Sequence, residues 1–489
     1  MDTSKIVDRD ETLRVLSGFN PWWAGRPFPE EAFHRLAFNA CRKYLQDQSL
    51  RRALLLSGPR RVGKTTILYQ LAREALESGL APAGTVPDPK SILYLSLDHP
   101  LLKLLGLGGA LRLYHESIWP EGRPALLLLD EVQYSRDWGT EIKLLVDVHP
   151  EYRIAATGSA SVAHRDHLAE SGVGRWLTIP VPTLSFYEFV HIRREVEVSV
   201  APNLRPGDLF TMKTAERVAL AERIRPLLPS FYRYLLVGGF PETARQSDIT
   251  LCQRLLREDV VERVLKRDMT ALFGVRNVDV LEKIFIYLCL HSGGIIAHKT
   301  VASALGVSAL TVANHLELLE QANLIYKLPP MEIGGKKVLK AKNKYYLADA
   351  ALRNAVLLRG EEVLTSPDEM GTIVETTVMR HLYAYYYRDT PEIVYWRDAK
   401  TEKEVDIVVR SPGYVIPVEV KYRESAELEM SSGIVDLCRK EPVLQAYFVT
   451  KREEDFGPHE IPDVRGRLMR VPAHLLCYLL GQAERLLWL

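Results

Sequence analysis

Lys64 and Thr65 close the segment Gly58-Pro59-Arg60-Arg61-Val62-Gly63-Lys64-Thr65-Thr66, in which two glycines frame four residues ahead of a lysine and a hydroxyl. That spacing suits a phosphate chain. The glycines let the backbone curl until successive amides face an anion, the lysine reaches the β and γ phosphates, and the threonine hydroxyl ligates magnesium. A second signal, Asp130-Glu131, follows the apolar run Ala125-Leu-Leu-Leu-Leu129. Asp130 can hold magnesium through water, and Glu131 can polarise an attacking water. Alone, an acidic pair after a strand also reads as a helix start. Behind the glycine-framed motif, the two signals together imply ATP hydrolysis, with ATP and Mg2+ as cofactors. Thr157 and Ser159, at the end of Tyr152-Arg-Ile-Ala-Ala-Thr157-Gly158-Ser159, can reach the γ-phosphate or simply cap a helix.

These residues need a parallel sheet in order to meet. Arg52-Ala-Leu-Leu-Leu-Ser57 reads as a buried strand running into the glycine-framed loop, and Thr66-Ile-Leu-Tyr-Gln-Leu-Ala continues as helix. Ser91-Ile-Leu-Tyr-Leu-Ser-Leu97 and the runs ending at Leu129 and Thr157 are further strands. Strands alternating with helical stretches predict an α/β fold with helices on both faces of the sheet and ligands at the carboxyl ends of the strands.

The whole chain is larger than that unit. At 489 residues it exceeds one core, and ~150 residues per domain suggests three or four. A composition 47% hydrophobic and 26% charged excludes wholesale disorder. A formal charge of +1 supplies no global field for nucleic acid or anionic membrane, so any such binding must come from local patches. Cys41, Cys252, Cys289, Cys438 and Cys477 are scattered and never spaced CxxC, which fits reduced thiols in a cytoplasmic protein. The charged N-terminus, and the absence of any apolar run near the roughly 18 residues of a membrane span, predict a soluble intracellular protein without membrane contact.

The set SGPRRVGKTT, LLLLDEVQY, ATGSAS, Gly174-Arg175, Val181-Pro-Thr-Leu-Ser-Phe-Tyr-Glu188-Phe189 and Val237-Gly-Gly-Phe-Pro-Glu242 resembles the prokaryotic AAA+ ATPases that carry a C-terminal domain of unknown function, DUF4143. The likeness covers nearly the whole chain. It implies a P-loop AAA+ core with a parallel sheet, then a helical lid, a winged helix and a restriction-endonuclease-like α/β domain. The corresponding ranges are an N-terminal helical segment 1–50, a core 51–204, a lid 205–275, a winged helix 276–350, and a nuclease-like domain with its tail at 365–489. It makes Thr157 or Ser159 a candidate polar sensor. Arg175 becomes a candidate arginine finger for a neighbouring subunit's ATP, which would require a homo-oligomer such as a hexamer, or else a surface arginine in a salt bridge. Arg60 and Arg61 read as facing solvent or a partner.

Two stretches bear on a macromolecular partner. Val280-Leu-Glu-Lys-Ile-Phe-Ile-Tyr-Leu288, Ala297-His-Lys-Thr-Val-Ala-Ser-Ala-Leu305 and Leu310-Thr-Val-Ala-Asn-His-Leu-Glu-Leu-Leu319 give three short helices around a Gly-Val-Ser turn, followed by a hairpin. Thr311, Asn314 and His315 would face outward on the recognition helix, and Lys327, Lys336, Lys337, Lys340, Lys342 and Lys344 crowd the hairpin as a basic patch for DNA. Packing against protein is the alternative use of such an element.

Further on, a helix expected to begin near Gly371 carries Glu375, Asp406 interrupts an apolar strand, and Glu419 and Lys421 share one face of the next strand. This arrangement resembles the PD-(D/E)xK nucleases. The resemblance makes Glu375, Asp406 and Glu419 magnesium ligands on a scissile phosphate and Lys421 the residue that orients water, with Glu404 an alternative ligand. The competing interpretation is a buried ion pair in a domain kept for binding alone.

The leading expectation is an oligomeric, ATP-driven protein acting on DNA, branched or broken duplex in particular, as a motor or an ATP-gated nuclease in repair, recombination or mobile-element defence. The rivals are a signalling ATPase that recruits a protein partner and a plain nuclease regulated by ATP.

Overall fold

The structure is a computed structural model that describes residues 8–28, 30–78, 88–158, 174–331, 342–387, 391–398 and 400–487. Contacts divide the chain into two compact units, one of residues 1–182 and one spanning 183–320 and 324–487.

The first unit is built on five strands, β1 (Ala53–Ser57), β2 (Ile92–Ser96), β3 (Ala125–Asp130), β4 (Tyr152–Gly158) and β5 (Trp176–Pro180). All pair in parallel, in the order β2-β3-β4-β1-β5. β1 through β4 are buried almost throughout, as expected of continuous apolar runs in a sheet covered on both faces. The helices Lys64–Ser78 and Leu36–Gln46 lie against the sheet. The strand order decides the chemistry, because β4 runs between β1 and β3. The loop after β1, the end of β4 and the acidic end of β3 therefore fall side by side at one sheet edge.

β2 is an outer strand whose polar backbone groups need partners. The Asn20-Pro21-Trp22-Trp23 cluster supplies them. The Asn20 amide accepts from Tyr94 N at 2.6 Å and donates to Tyr94 O at 2.8 Å, while the indoles of Trp22 and Trp23 both donate to Ile92 O.

The second unit begins earlier than the core boundary expected at 204. Helix Phe186–Arg193 buries Phe186 and Phe189 against Phe231, Tyr234 and Tyr478, and this aromatic burial draws the segment into the second unit. Helical segments fill Thr214–Ile224, Leu228–Val237, Pro241–Arg245, Ile249–Leu255, Leu256–Asp268 and Met269–Phe273. Next come Val278–Leu290, β6 (Gly294–Ile296), His298–Leu305, Ala309–Gln321, β7 (Ile325–Leu328) and β8 (Asn343–Leu347), with an antiparallel sheet ordered β6-β8-β7. The helix carrying Glu375 spans Pro367–Tyr386, beginning before Gly371 because Pro367 fits its first turn.

A six-stranded mixed sheet follows, made of β9 (Glu392–Arg397), β10 (Glu404–Ser411), β11 (Tyr414–Lys421), β12 (Gln445–Thr450), β13 (Gly457–Glu460) and β14 (Arg467–Pro472), ordered β13-β14-β12-β11-β10-β9. The final helix Ala473–Leu486 is buried along most of its length against Phe186–Arg193 and Pro367–Tyr386, which accounts for its apolar sequence. Met331 N donates to Tyr395 O at 2.6 Å and Tyr395 N to Pro329 O at 3.1 Å, tying the small sheet to β9. All five cysteines are buried free thiols. Among the described residues no single helix is long and apolar enough to cross a membrane; the pair His298–Leu305 and Ala309–Gln321 reaches that length only across a 109° bend.

Candidate functional site

The glycine-framed loop leaves β1 under tight constraint. Val181 N donates to Ser57 O at 2.7 Å, and a Cβ on Gly58 would lie 2.0 Å from the Val181 carbonyl oxygen, so only glycine fits. Gly63 has φ 95° and Arg61 φ 64°, the left-handed geometry that reverses the chain within so few residues. Val62 is buried, and its carbonyl accepts from the buried Arg35 guanidinium, which also donates to Pro182 O at 2.8 Å. Gly58 and Pro59 are buried as well, whereas Arg61 and Thr65 are exposed and Thr66 is half-buried at the helix start.

Lys64 is 5% exposed, and its Nζ donates to the carbonyls of Gly58 at 2.8 Å and Pro59 at 2.7 Å. Asp130 collects hydroxyls from three directions. Thr65 Oγ1 and Tyr94 OH each donate to Oδ2 at 2.8 Å, and Thr157 Oγ1 donates to Oδ1. Thr157 also accepts from Glu131 N at 3.1 Å, so the end of β4 joins both acidic residues.

Glu131 itself has φ 54°, an uncommon conformation for a non-glycine residue that turns the chain sharply after β3. Gln133 donates its amide to the Glu131 carboxyl, and Arg60 donates to Tyr134 OH at 2.9 Å. Burial pushes the Glu131 carboxyl up, with Asp130 adding to the shift and Lys64 and Arg60 opposing it. Thr65 and Asp130 form an oxygen donor set suited to a hard cation beside the lysine, which fits magnesium carried by a nucleotide phosphate. Tyr94, Gln133 and Arg35 escape the sequence reading. Tyr94 looks like one more apolar residue of a buried strand, and Arg35 lies in no motif. Ser159 lies outside the described residues.

Arg175 stands at the start of β5, where its carbonyl accepts from Ala53 N at 2.9 Å, so it borders the sheet edge at which β1 begins, while the phosphate-type loop leaves the other end of β1. Its guanidinium pairs with Asp147, both side chains being over a third exposed.

The acidic groups of the second unit do gather, with one unexpected member. Glu375, Glu404 and Asp406 surround the ammonium of Lys344, at 3.7, 2.5 and 3.6 Å respectively. Lys344 is 2% exposed; it does not stand on the hairpin surface expected for a basic patch but points inward. Burial alone would depress its ammonium, but Asp406, Glu375 and Glu404 outweigh that and hold it above its usual range. Tyr346, two residues along β8, donates to Glu375 at 2.7 Å and approaches the Asp406 carbonyl at 3.3 Å. Asp406 Oδ2 accepts from Val420 N at 2.9 Å, and Lys421 pairs with Glu419 at 2.6 Å. Burial, then the neighbouring Asp406 carboxylate, pushes Glu375 up to about 7 and Glu419 up to about 8.

A magnesium ion does not fit this arrangement. Among the described residues no group of three or more acidic, His or Cys side chains is placed to hold a metal. Of the three residues expected as magnesium ligands, Glu375 and Asp406 have Lys344 against them, and Glu419 is paired with Lys421.

Of the residues expected to meet DNA, Asn314 and Lys327 are exposed and Thr311 and His315 are half-buried, with His315 Nδ1 bonded to Thr311 O at 2.8 Å. Lys336, Lys337 and Lys340 lie outside the described residues.

Comparison with known proteins matches residues 50–190 to a family described as an AAA domain and residues 370–465 to the domain of unknown function DUF4143, the two parts of the resemblance. Residues 228–363 match a further domain of unknown function, DUF8612. The chain is 25% identical over 361 residues to an uncharacterized protein of Methanocaldococcus jannaschii, covering 70% of each. It is 24% identical over 376 residues to an uncharacterized protein of Haemophilus influenzae, covering 75% of this chain and 82% of that one. An uncharacterized protein of Mycobacterium tuberculosis is 25% identical over 402 residues, covering 79% and 76%. Among solved structures, NtrX from Brucella abortus in complex with ADP is 14% identical with a TM-score of 0.25, covering 63% of this chain and 72% of that one, a likeness too distant to support any assignment.

Proposed function

We propose that the chain is a magnesium-dependent ATPase whose nucleotide cycle drives an oligomer acting on DNA, with the second unit binding its partner rather than cutting it. The observation that carries the ATPase is the convergence of Thr65, Tyr94 and Thr157 on Asp130, beside Glu131 and at the foot of the loop that holds Lys64. Lys64 exchanges its two carbonyl partners for the β and γ phosphates, and the loop amides bind the same anion. Thr65 and Asp130 hold magnesium, which when bound neutralises charge on the transferred phosphate. Glu131, held by Gln133, accepts the proton of the attacking water; its raised carboxyl makes it a better base than an exposed glutamate. Thr157 links the two acids and carries the state of the phosphate site into β4.

DNA is the partner class we propose, from the exposed Asn314 and Lys327 together with Lys336, Lys337, Lys340 and Lys342 of the sequence. Steady-state ATP hydrolysis with single-stranded, duplex and four-way-junction DNA tests both parts, with Glu131→Gln as the blank and the DNA recovered intact or cut. Loss of turnover in Glu131→Gln with stimulation by one DNA structure is the expected result. Turnover that survives in Glu131→Gln would sink the ATPase assignment. The lysine inside the acidic cluster gives some weight to a second reading, a signalling ATPase that recruits a protein, and hydrolysis indifferent to every DNA would transfer the proposal to it.

A further inference from the structure

Four carboxylates converge from one helix and two strands of the second unit, and a lysine from a different sheet is inserted among them. Lys344 and Tyr346 occupy alternate positions of β8, so both side chains leave the same face of the strand, and both end in the cluster. The insertion is secured on the far side by Tyr395. Its hydroxyl donates to Lys342 O at 2.7 Å, its ring lies 5.8 Å from the Lys344 Nζ, and its backbone bonds to Pro329 and Met331. Gly293, with φ 80°, completes the fit, since a Cβ there would meet Glu375 Oε1 at 2.9 Å.

We propose that Lys344 is the resident cation of this cluster, a strut that occupies the place of a divalent ion and binds β8 to the helix Pro367–Tyr386 and to the acidic end of β10, so that a metal can enter only if the lysine is withdrawn. Two features argue for occupancy of a cation position rather than an ordinary ion pair. The ammonium lies within 4 Å of three carboxylates, one from the helix Pro367–Tyr386 and two from β10, instead of one. In addition, the Glu419 Oε2 oxygen is buried without a hydrogen-bond partner, in a residue 5% exposed, as expected where an acidic pocket is tailored to more positive charge than Lys421 alone brings. The inference concerns the second unit alone and stands whether or not the ATPase assignment holds.

Mn2+ binding to the nucleotide-free full chain, followed by electron paramagnetic resonance and by calorimetry, provides the test. The native protein is expected to bind no Mn2+ at this cluster. Lys344→Met keeps the length of the side chain and removes its charge; it should gain one site, with affinity raised about tenfold or more, because a like charge within 4 Å no longer repels the ion. Glu375→Gln in the same background should abolish that site. Should Lys344→Met fail to fold, the pair Lys344→Met with Glu404→Gln removes opposite charges together and reports the same gain. Equal Mn2+ binding by native and Lys344→Met protein, or no gain in either variant, would overturn the proposal.

Discussion

The phosphate-type site at the end of β3 and the acidic cluster beside β8 each bring a buried lysine near carboxylates, but the lysines are used in opposite ways. Lys64 gives its hydrogen bonds to the neutral carbonyls of Gly58 and Pro59, and Asp130 accepts from the hydroxyls of Thr65, Tyr94 and Thr157. A ligand bringing phosphate and metal together can displace such neutral partners without stranding a buried charge. Lys344 is instead surrounded by Glu375, Glu404 and Asp406, where displacement would leave carboxylates facing one another. On the proposed reading, similar residue types serve turnover in one unit and cohesion in the other.

The comparison breaks most visibly at turnover. Glu131→Gln should lower kcat for ATP by about a hundredfold or more, since proton transfer is worth roughly 10²–10⁴, and Lys64→Met, which removes the charge placed on the β and γ phosphates, by about a hundredfold or more as well. Lys64→Met should at the same time cost about 1.5 to 3 kcal/mol in stability, because it removes hydrogen bonds made by a buried ammonium. If either variant hydrolyses ATP at the native rate, the contrast between the sites fails.

Stability should respond in the reverse order. Lys344→Met is expected to destabilise the second unit by about 3 to 5 kcal/mol, the usual cost of removing one partner from a buried ion pair. Urea unfolding measures it, and adding Glu404→Gln should recover part of the loss. A midpoint unchanged from the native protein would mean that the cluster does not hold the unit together.

Acid should weaken the second unit through a third buried group. His381 accepts from Phe186 N and bonds Thr377 O through Nδ1, both at 2.8 Å, and burial followed by the adjacent Arg380 holds its pKa well below the ordinary value. The folded protein therefore keeps it neutral while the unfolded chain takes a proton below about pH 6.5. The contribution is complete above that pH and is lost as pH falls, at a rate of up to about 1.4 kcal/mol per pH unit. Urea midpoints at pH 7.5 and 5.5 should separate less in His381→Gln than in the native chain.

The smallest effect belongs to Arg175. As the partner of Asp147 on a partly exposed surface, Arg175→Ala should change stability by less than about 1 kcal/mol. A finger acting on a neighbouring subunit would instead lose roughly a thousandfold or more in turnover. The expected outcome is near-native kinetics, and a collapse of kcat with intact ATP binding would restore the finger.

Much of the first unit was legible in the sequence. The apolar runs at 53–57, 92–96, 125–130 and 152–158 stand out as buried parallel strands, and the loop between Gly58 and Thr65 states its geometry in its own residues. Asp130 and Thr157 were found because each ends such a run. Tyr94 was not, since a hydroxyl on a buried strand carries no local mark of the carboxylate it will meet on the neighbouring strand. In the second unit the sequence marks Glu375, Asp406, Glu419 and Lys421, but nothing local in it places Lys344 among the carboxylates.

The sequence by itself determined what could be settled over short spans of chain: a phosphate-binding loop needs nine consecutive residues, Gly58 through Thr66, and their backbone torsions follow from their own side chains. Only the tertiary structure decided which lysine neutralises the acidic cluster. Lys344 and Lys342 sit two positions apart in the same basic stretch, one buried and one exposed, and no local property distinguishes them. The difference arises because Tyr395 of β9 holds Lys342, Pro329 and Met331, segments more than fifty residues away, and the Lys344 ammonium then enters β10's carboxylates, where burial requires that it be paired.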